Sequence, residues 1–366
     1  MKTIKICFLS PKSYPLFNKE TNDIFGGSEV QMYLMGRTLA KKPRAEVSFI
    51  VADYGQDAKD ETIEGVRVIK AFGFSDNIFT KIVKFHNAMR HAGSDIVVHR
   101  AINTFSGMIA LYCRITGKRL IYMLASDYEV DGRYRREQGR FKYFLSSLVF
   151  RFANMLIVQN RRQQSMLNRY PVRGLRLFRS GISIDSNNKK DEGFVLWVGR
   201  AVPSKRPEAY LELAKRMRQF KFIMILSGDK NKDGLYAGIK EMTARVDNLA
   251  LIGYVDYSTM DRFYSRAHTF VSTSDMEGFP LTFLEAAKNG VPVVSLQTDP
   301  DGFLEEHGCG FCAGGDHDLL EKRVRELFDK PDLYARMSRR AYEYVKENHD
   351  IESIVDDLMC EINKIK

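Results

Sequence analysis

Short apolar runs alternate with amphipathic stretches along most of this chain. In the first half, runs with β-strand character lie at residues 2–10, 45–53, 66–72, 95–100, 119–126 and 154–160. In the second half, they lie at residues 193–200, 220–229, 248–255, 268–274 and 290–296. Helical periodicity fills the intervals, as in residues 28–41, where Ser28 can cap the start of a helix. This alternation predicts an α/β protein whose parallel sheets carry helices on both faces.

A polar stretch at residues 182–193 divides the pattern into two similar series and predicts a domain boundary near Asn187. A chain of 366 residues is also longer than one compact core usually supports. We therefore expect Rossmann-like, doubly wound domains at residues 1–186 and 187–347. The apolar side of residues 348–366 predicts a final helix that returns to the first domain. Two such domains predict a ligand in a cleft between them, at the carboxyl ends of the strands.

Composition and cysteine usage favour a globular protein of the cytoplasm. The chain is 44% hydrophobic and 28% charged, and none of its apolar runs reaches the length of a signal peptide core or a spanning helix. Cys7 and Cys113 lie in apolar runs and are expected in the core. Glycines surround Cys309 and Cys312, which favours loop thiols over a redox or zinc site.

The formal charge of +10 is unevenly distributed, with +14 up to Ser186 and −4 from Asn187 onward. A basic first half indicates an anionic partner there, or simply a basic surface. Residues 132–152 mix arginines with aromatic and aliphatic residues. Such a segment predicts either a helix lying on an anionic membrane or a solvated basic helix beside a core face.

Two glycine-rich or basic stretches are candidates for anion binding. In GGSE, Gly26 and Gly27 precede a helix, so their amides and the helix dipole could hold an anion, although an ordinary turn explains them equally well. In VGRAVPSKRPE, Arg200 ends a strand and Lys205 follows five residues later. A guanidinium and an ammonium at this spacing could clamp a diphosphate, or both could be solvated loop cations. The sequence contains neither a G-x-G-x-x-G fingerprint nor a P-loop.

The stretch DMEGFPLTFLEAAKNGVPVVS places two acids around a helix start. Pro280 suits the first helical position, which leaves the amides of Leu281 and Thr282 free to bind an anion. Glu277 precedes the helix, and Glu285 lies one turn after Leu281. Because carboxylates repel a phosphate, these acids are better suited to accept hydrogen bonds from sugar hydroxyls. An anion site flanked by two acids that accept from hydroxyls predicts a binding site for a sugar nucleotide.

These motifs resemble retaining glycosyltransferases of family 4, the "glycosyl transferases group 1" of GT-B fold. The resemblance rests on EGFPLTFLEAAKNGVPVV, on the Gly-Arg…Lys element, on GGSE and on LIGYV, and it runs from residue 26 to about residue 295. Arg206 stands where many members have glycine. The resemblance implies that Glu277 contacts the donor sugar, that Glu285 contacts the ribose, and that Arg200 and Lys205 neutralise the diphosphate without a metal. The expected donor-binding residues are Gly26, Gly27, Arg200, Lys205, Tyr254, Val255, Glu277, Gly278, Phe279, Pro280, Leu281, Thr282 and Glu285.

One departure from the family concerns a histidine that many members carry after a strand of the first domain. Here the matching strand ends at Asp127. Asp127 could take that place beside the donor sugar, as a fourth catalytic candidate with Arg200, Lys205 and Glu277. His99, at the end of another strand, is a second candidate or simply a satisfied histidine.

The resemblance implies a retaining hexosyltransferase that acts in cell-surface polysaccharide or glycolipid synthesis. It would transfer a hexose from a nucleoside diphosphate sugar, bound by the domain at residues 187–347, to a hydroxyl of a glycan or lipid-linked acceptor, bound by the domain at residues 1–186. No cofactor, metal or nucleic acid is expected, and the protein would work in the cytoplasm, on the inner face of the cell membrane if residues 132–152 bind lipid. The alternatives are a sugar-nucleotide epimerase of GT-B-like fold and a non-catalytic protein that binds anionic ligands.

Overall fold

The computed structural model describes residues 3–21, 23–168, 174–184, 189–228 and 234–365. The chain divides into two compact units. Unit 1 comprises Met1–Ser183 and Ile351–Lys366, and unit 2 comprises Ile184–Asp350. The boundary expected between residues 186 and 187 lies outside the described residues.

Unit 1 is built on an eight-stranded sheet. Its strands are β1 (Ile4–Leu9), β2 (Ala45–Val51), β3 (Asp60–Ile63), β4 (Val66–Lys70), β5 (Ile96–Arg100), β6 (Arg119–Met123), β7 (Met155–Val158) and β8 (Leu175–Leu177). They lie in the order β3-β4-β2-β1-β5-β6-β7-β8, and every pair is parallel except the antiparallel β3–β4. The connecting helices are α1 (Tyr14–Phe17), α2 (Gly27–Ala40), α3 (Ile78–Ala92), α4 (Ser106–Ile115), α5 (Arg133–Phe152) and α6 (Arg161–Leu167).

Unit 2 is built on a six-stranded, fully parallel sheet. Its strands are β9 (Phe194–Arg200), β10 (Lys221–Ser227), β11 (Leu249–Ile252), β12 (Ala267–Ser272), β13 (Val293–Ser295) and β14 (Gly310–Cys312). They lie in the order β11-β10-β9-β12-β13-β14. The helices are α7 (Pro207–Arg216), α8 (Gly234–Thr243), α9 (Asp261–Tyr264), α10 (Leu281–Lys288), α11 (His317–Asp329) and α12 (Pro331–Asn348).

The last helix, α13 (Ile351–Lys364), packs on unit 1 rather than on unit 2. It buries an apolar face that includes Ile351, Val355 and Ile362, as the pattern of its sequence requires. Lys42, two residues after the end of α2, forms ion pairs with Glu352 at 2.9 Å and Asp356 at 2.7 Å on α13. These contacts make α13 part of the helical layer of unit 1.

Each sheet has one point where the order of its strands changes direction. In unit 1, the chain builds outward from β1 to β3, and then resumes on the other side of β1 with β5. In unit 2, the same change occurs between β9 and β12. Loops that leave two such neighbouring strands diverge and open a crevice at the carboxyl edge of the sheet, where α/β proteins bind ligands.

The structure corrects several local predictions. Gly26, not Ser28, is the N-cap of α2. Three short strands that lie at the edges of the two sheets, β3, β8 and β14, were not predicted. The prediction of loop thiols holds for Cys309, a fully buried residue of the loop just before β14, and is wrong for Cys312, which ends that strand. Burial raises the pKa of Cys309 to about 12, which argues against a reactive thiolate. Within the described ranges, no helix is long and apolar enough to span a bilayer.

Candidate functional site

Loops that follow the two central strands of unit 2 bring a predicted cation and a predicted acid together. Arg200 ends β9 and is exposed, and a 3-10 helix that ends with Lys205 follows it. Glu277 lies in the loop after β12, the strand adjacent to β9. The Lys205 ammonium forms an ion pair with the Glu277 carboxylate, and the two side chains are 24% and 16% exposed. The pair therefore sits at the switch point of the sheet, on the border between protein and solvent.

Hydrogen bonds fix these two loops to each other. The indole Nε1 of buried Trp197 donates to Thr273 Oγ1 at 2.9 Å, and that hydroxyl donates to the Lys205 carbonyl at 2.7 Å. The backbone amide of Asp275 donates to the Ser204 carbonyl at 3.0 Å. The positions of Lys205 and Glu277 thus depend on a core tryptophan that the sequence did not single out.

Arg206 occupies a backbone position that normally favours glycine. Its φ is 46° and its ψ is 56°, in the left-handed region, where a side chain is strained. Its guanidinium pairs with Asp275 at 3.2 Å. This geometry accounts for the glycine that resembling sequences carry here, and it adds a cation beside Lys205.

The loop before α10 differs from the prediction in one respect. Pro280 is the N-cap residue, with an extended ψ of 124°, and Leu281 is the first helical residue. Leu281 and Thr282 are half-buried at the start of this helix. Gly278 is buried, and the Phe279 ring packs at 5.6 Å from Phe303 and 4.6 Å from His349. The side chain of Phe279 therefore belongs to the core.

Glu285 is a buried acid that is already hydrogen-bonded. Tyr257 donates its hydroxyl to Oε1 at 2.7 Å, and Lys288 Nζ lies 3.2 Å from Oε2. Lys288 also pairs with Asp261 at 3.1 Å. Burial, with repulsion from Glu285, raises the pKa of Tyr257 well above its ordinary value. A carboxylate offers about four lone-pair sites, so Glu285 retains capacity for further hydroxyl donors.

Tyr254 and Val255, the residues expected to line the base pocket, follow β11 at the same carboxyl edge of the sheet. Both are half-buried, and β11 lies two strands from β9. The structure therefore spreads the predicted donor-binding residues of unit 2 along one edge of one sheet.

In unit 1, Asp127 is held by a set of donors from the neighbouring helix. It begins a 3-10 helix after β6 and is 3% exposed. Its Oδ1 accepts from Asn160 Nδ2 at 3.3 Å and from Gln163 Nε2 at 3.0 Å, and Arg162 Nε lies 3.5 Å from Oδ2. These contacts join the end of β6 to the start of α6, so Asp127 has a structural function in this state.

His99 lies on β5 and is 4% exposed. Its Nε2 lies 2.9 Å from the hydroxyl of Ser106 in α4. Burial lowers the pKa of His99 to about 4, so its ring is neutral near pH 7. This ring is better suited to hydrogen bonding than to charge stabilisation.

The glycine-rich turn of unit 1 differs from the predicted anion site. The Gly26 amide donates to Glu29 Oε2 at 2.9 Å, so a carboxylate of the chain already occupies that donor. Gly27 is the first residue of α2 and is exposed. A second anion at Gly26 would face the negative charge of Glu29, which disfavours the predicted phosphate contact.

Comparison with known families supports the group 1 resemblance. Residues 180–344 match the family model described as "Glycosyl transferases group 1". The O-antigen biosynthesis glycosyltransferase WbnH of Escherichia coli is 27% identical over 167 residues, which cover 44% of this chain and 46% of the relative. The O-antigen chain mannosyltransferase B of Escherichia coli is 33% identical over 107 residues, 28% of each chain. The matched segments thus span less than half the length of these curated relatives. The predicted resemblance is confirmed for the group 1 region.

Solved structures support the fold over the whole chain. Sucrose-phosphate synthase from Thermosynechococcus elongatus superposes with a TM-score of 0.82 at 16% identity, covering 98% of both chains. HepE of Anabaena, solved in complex with UDP-glucose, superposes with a TM-score of 0.75 at 16% identity, covering 99% of this chain and 100% of that one. Together with the two doubly wound units, these similarities confirm the predicted α/β, GT-B fold class.

Proposed function

We propose that this chain is a metal-independent, retaining glycosyltransferase that moves a hexose from a nucleoside diphosphate sugar to an acceptor hydroxyl. The observation that carries the proposal is the contact between Lys205 and Glu277 at the switch point of unit 2, inside the region that matches group 1. It places the cation suited to a diphosphate next to the acid suited to a sugar hydroxyl.

The proposed donor complex uses groups that the chain already positions. Lys205 has three N–H donors and gives one to Glu277, so it can also bind a phosphate oxygen. Arg200 is exposed at the end of β9, and the Leu281 and Thr282 amides add dipolar stabilisation. These groups stabilise the negative charge that develops on the leaving diphosphate, without a metal ion. Glu277 and Glu285 accept hydrogen bonds from the sugar and ribose hydroxyls.

We assign the reaction to the synthesis of a cell-surface polysaccharide or glycolipid, on the cytoplasmic side. The named relatives, an O-antigen biosynthesis glycosyltransferase and an O-antigen chain mannosyltransferase, support this assignment. The acceptor is then a glycan or a lipid-linked glycan.

A panel of sugar nucleotides tests the proposal directly. We expect at least one UDP-, GDP- or ADP-hexose to raise the melting temperature, because a ligand at about 100 times its Kd stabilises a protein by about 2.7 kcal/mol. The matching nucleoside diphosphate should do the same, and EDTA should leave both shifts unchanged. The measurement is thermal unfolding followed by fluorescence.

NADH and a single-stranded oligonucleotide serve as controls in this panel. A shift with the oligonucleotide and none with any sugar nucleotide would contradict the proposal. Conversion of the bound sugar into an isomer without an acceptor, read by NMR, would instead establish the epimerase.

A second part of the proposal is that unit 1 binds the membrane surface. Among the described residues, twelve of the thirteen large hydrophobic side chains that are exposed lie between Phe74 and Leu145. Most of them are on α3, α4 and α5, which together carry ten Lys and Arg residues and a single acid, Glu137. We call this surface the apolar–cationic face. Apolar side chains interleaved with cations favour an anionic bilayer, and the face extends the predicted segment 132–152 to two further helices.

Liposome flotation tests this surface. The three most exposed apolar residues are Phe79 at 78%, Ile115 at 75% and Phe141 at 74%. We expect their combined replacement by serine to weaken binding to phosphatidylglycerol vesicles at least about tenfold, because each inserted side chain contributes through apolar burial. Met242→Ser, which changes an exposed residue of unit 2, should bind like wild type. Equal flotation on anionic and neutral vesicles would overturn the proposal.

A further inference from the structure

The C-terminal ends of α3 and α4 border a shallow, solvent-open pocket of about 460 Å³ in unit 1. Its lining residues are His86, Arg90, Tyr112, Thr116 and Lys118. A second pocket of about 410 Å³ shares Thr116 and Lys118 with it and includes the first residues of β5 and β6. The pocket therefore lies at the amino edge of the sheet, opposite the carboxyl edge where doubly wound proteins bind their substrates.

Contacts between separate elements build this pocket. The ring of His86 meets the ring of Tyr112 edge-on, with 5.8 Å between the centroids, and Phe85 contacts the same tyrosine at 6.2 Å. Lys118, on the turn after α4, donates from Nζ to the carbonyl of Ser94, two residues after α3, at 2.6 Å. An ammonium has three N–H donors, so Lys118 keeps two of them for a ligand. The ends of the two helices are thus held side by side with a cation between them.

The charges of the pocket favour an anion. Arg90 and Lys118 are cations, and no acid is among the lining residues. Neither α3 nor α4 contains an Asp or a Glu. Asp95 lines the adjoining pocket, where its carboxylate accepts from the backbone amide of Lys5 at 3.0 Å. A phosphate monoester carries a charge of about −1.5 to −2 near neutral pH, which matches the two cations.

Exposed apolar side chains lie next to the cations on the same helices. Phe79, Val83, His86 and Arg90 follow one another at spacings of three or four residues and therefore share one side of α3. Phe79 is 78% exposed and Val83 is 59% exposed. On α4, Ile115 is 75% exposed and immediately precedes the pocket residue Thr116. A phosphate site beside exposed apolar side chains matches a phospholipid, in which a phosphate adjoins acyl chains, better than a free phosphate.

We propose that this pocket binds the phosphate monoester headgroup of an anionic phospholipid, with Arg90, Lys118 and Tyr112 as its donors. The inference deepens the proposed membrane binding of unit 1 and rests on it, because it names the headgroup that the apolar–cationic face recognises. It adds a saturable, headgroup-specific contact to the general attraction between cations and an anionic bilayer.

Flotation on two kinds of anionic vesicle separates the headgroup contact from that general attraction. Phosphatidic acid exposes a phosphate monoester, whereas the phosphate of phosphatidylglycerol is a diester. At equal surface potential, we expect wild type to bind phosphatidic acid vesicles at least about tenfold more tightly. The ratio of the two affinities is the measurement. Loss of a cation that acts only through general attraction weakens both affinities about fivefold and leaves their ratio unchanged.

Two variants of the pocket and one matched control give the test its specificity. Arg90→Gln should bring the ratio to within about twofold of one, because it removes a charged donor. Tyr112→Phe changes no charge and keeps the ring contacts with Phe85 and His86, and it should lower the ratio about threefold. Arg114→Gln removes an exposed cation of α4 that does not line the pocket, so it should keep the wild-type ratio. Thermal unfolding shows whether each variant is folded.

Inorganic phosphate, added at constant ionic strength, identifies the source of the bound phosphate. It should leave the preference of wild type for phosphatidic acid unchanged. Loss of that preference would assign the pocket to a free anion and overturn the inference.

A wild-type ratio near one would also overturn the inference, as would pocket variants that keep the wild-type ratio. If the protein floats equally on both anionic vesicles and not on neutral ones, the headgroup site is wrong and the proposed membrane surface stands. If it floats on neither anionic vesicle, the membrane surface itself fails. The sugar-nucleotide panel tests the proposed transfer independently of all these outcomes.

Discussion

Replacing Lys205 by alanine is expected to lower the turnover of sugar transfer by about 10²–10³, while the protein remains folded. The magnitude is that of removing one preorganised donor from a site where negative charge develops in the transition state. Arg200→Ala should have an effect in the same direction. The measurement is release of nucleoside diphosphate from the sugar nucleotide that stabilises the protein most strongly.

Two comparisons make this test specific. Lys215→Ala removes an exposed lysine of unit 2 that pairs with Glu212 at 2.6 Å, and it should leave turnover unchanged. The double variant Lys205→Ala, Glu277→Gln separates two functions of the ion pair. If both residues contact the donor, the turnover of the double variant should be lower than that of either single variant. If the pair is purely structural, the double variant should regain part of the turnover that each single variant loses. Turnover close to wild type in both Lys205→Ala and Arg200→Ala would refute the diphosphate clamp.

The second large effect is on stability. Glu285→Ala is expected to lower the free energy of unfolding by about 3 kcal/mol, near the lower end of the range for breaking a buried ion pair. The substitution leaves Lys288 and Tyr257 without the carboxylate that both now contact. The remaining pair between Lys288 and Asp261 at 3.1 Å keeps the loss from being larger. Chemical denaturation of each variant provides the measurement.

Tyr257→Phe is the matched control, because it removes one hydrogen bond to Glu285 and retains the ion pair. It should destabilise the protein by about 1 kcal/mol. If Glu285→Ala lowered the free energy of unfolding by no more than the Tyr257→Phe control does, the buried ion pair would contribute little to stability. Glu285 would then be free for donor binding alone.

The sequence predicted the order of elements because the longer strands are apolar runs bounded by turn residues. The run at residues 220–229, for example, became Lys221–Ser227. The missed strand β3, Asp60–Ile63, has three polar residues out of four and pairs at the edge of its sheet, where burial imposes no such pattern. Strand boundaries and edge strands therefore depended on pairing partners that a single sequence does not reveal.

The sequence suggested residue types for the candidate site but not the contacts between them. The spacing around Pro280 correctly indicated a loop followed by a helix, yet it misplaced the proline by one position. Nothing in the spacing showed that Lys205 would pair with Glu277, because β9 and β12 are neighbours only through the strand order.

The return of α13 to unit 1 has a consequence for how the protein is made. The residues that complete the helical layer of unit 1, including Glu352 and Asp356 against Lys42, follow all of unit 2 along the chain. Unit 2 is continuous and can fold as it leaves the ribosome. Unit 1, although synthesised first, lacks its last helix until α13 is made, and the side chains that pack against α13 stay uncovered throughout translation of the second unit.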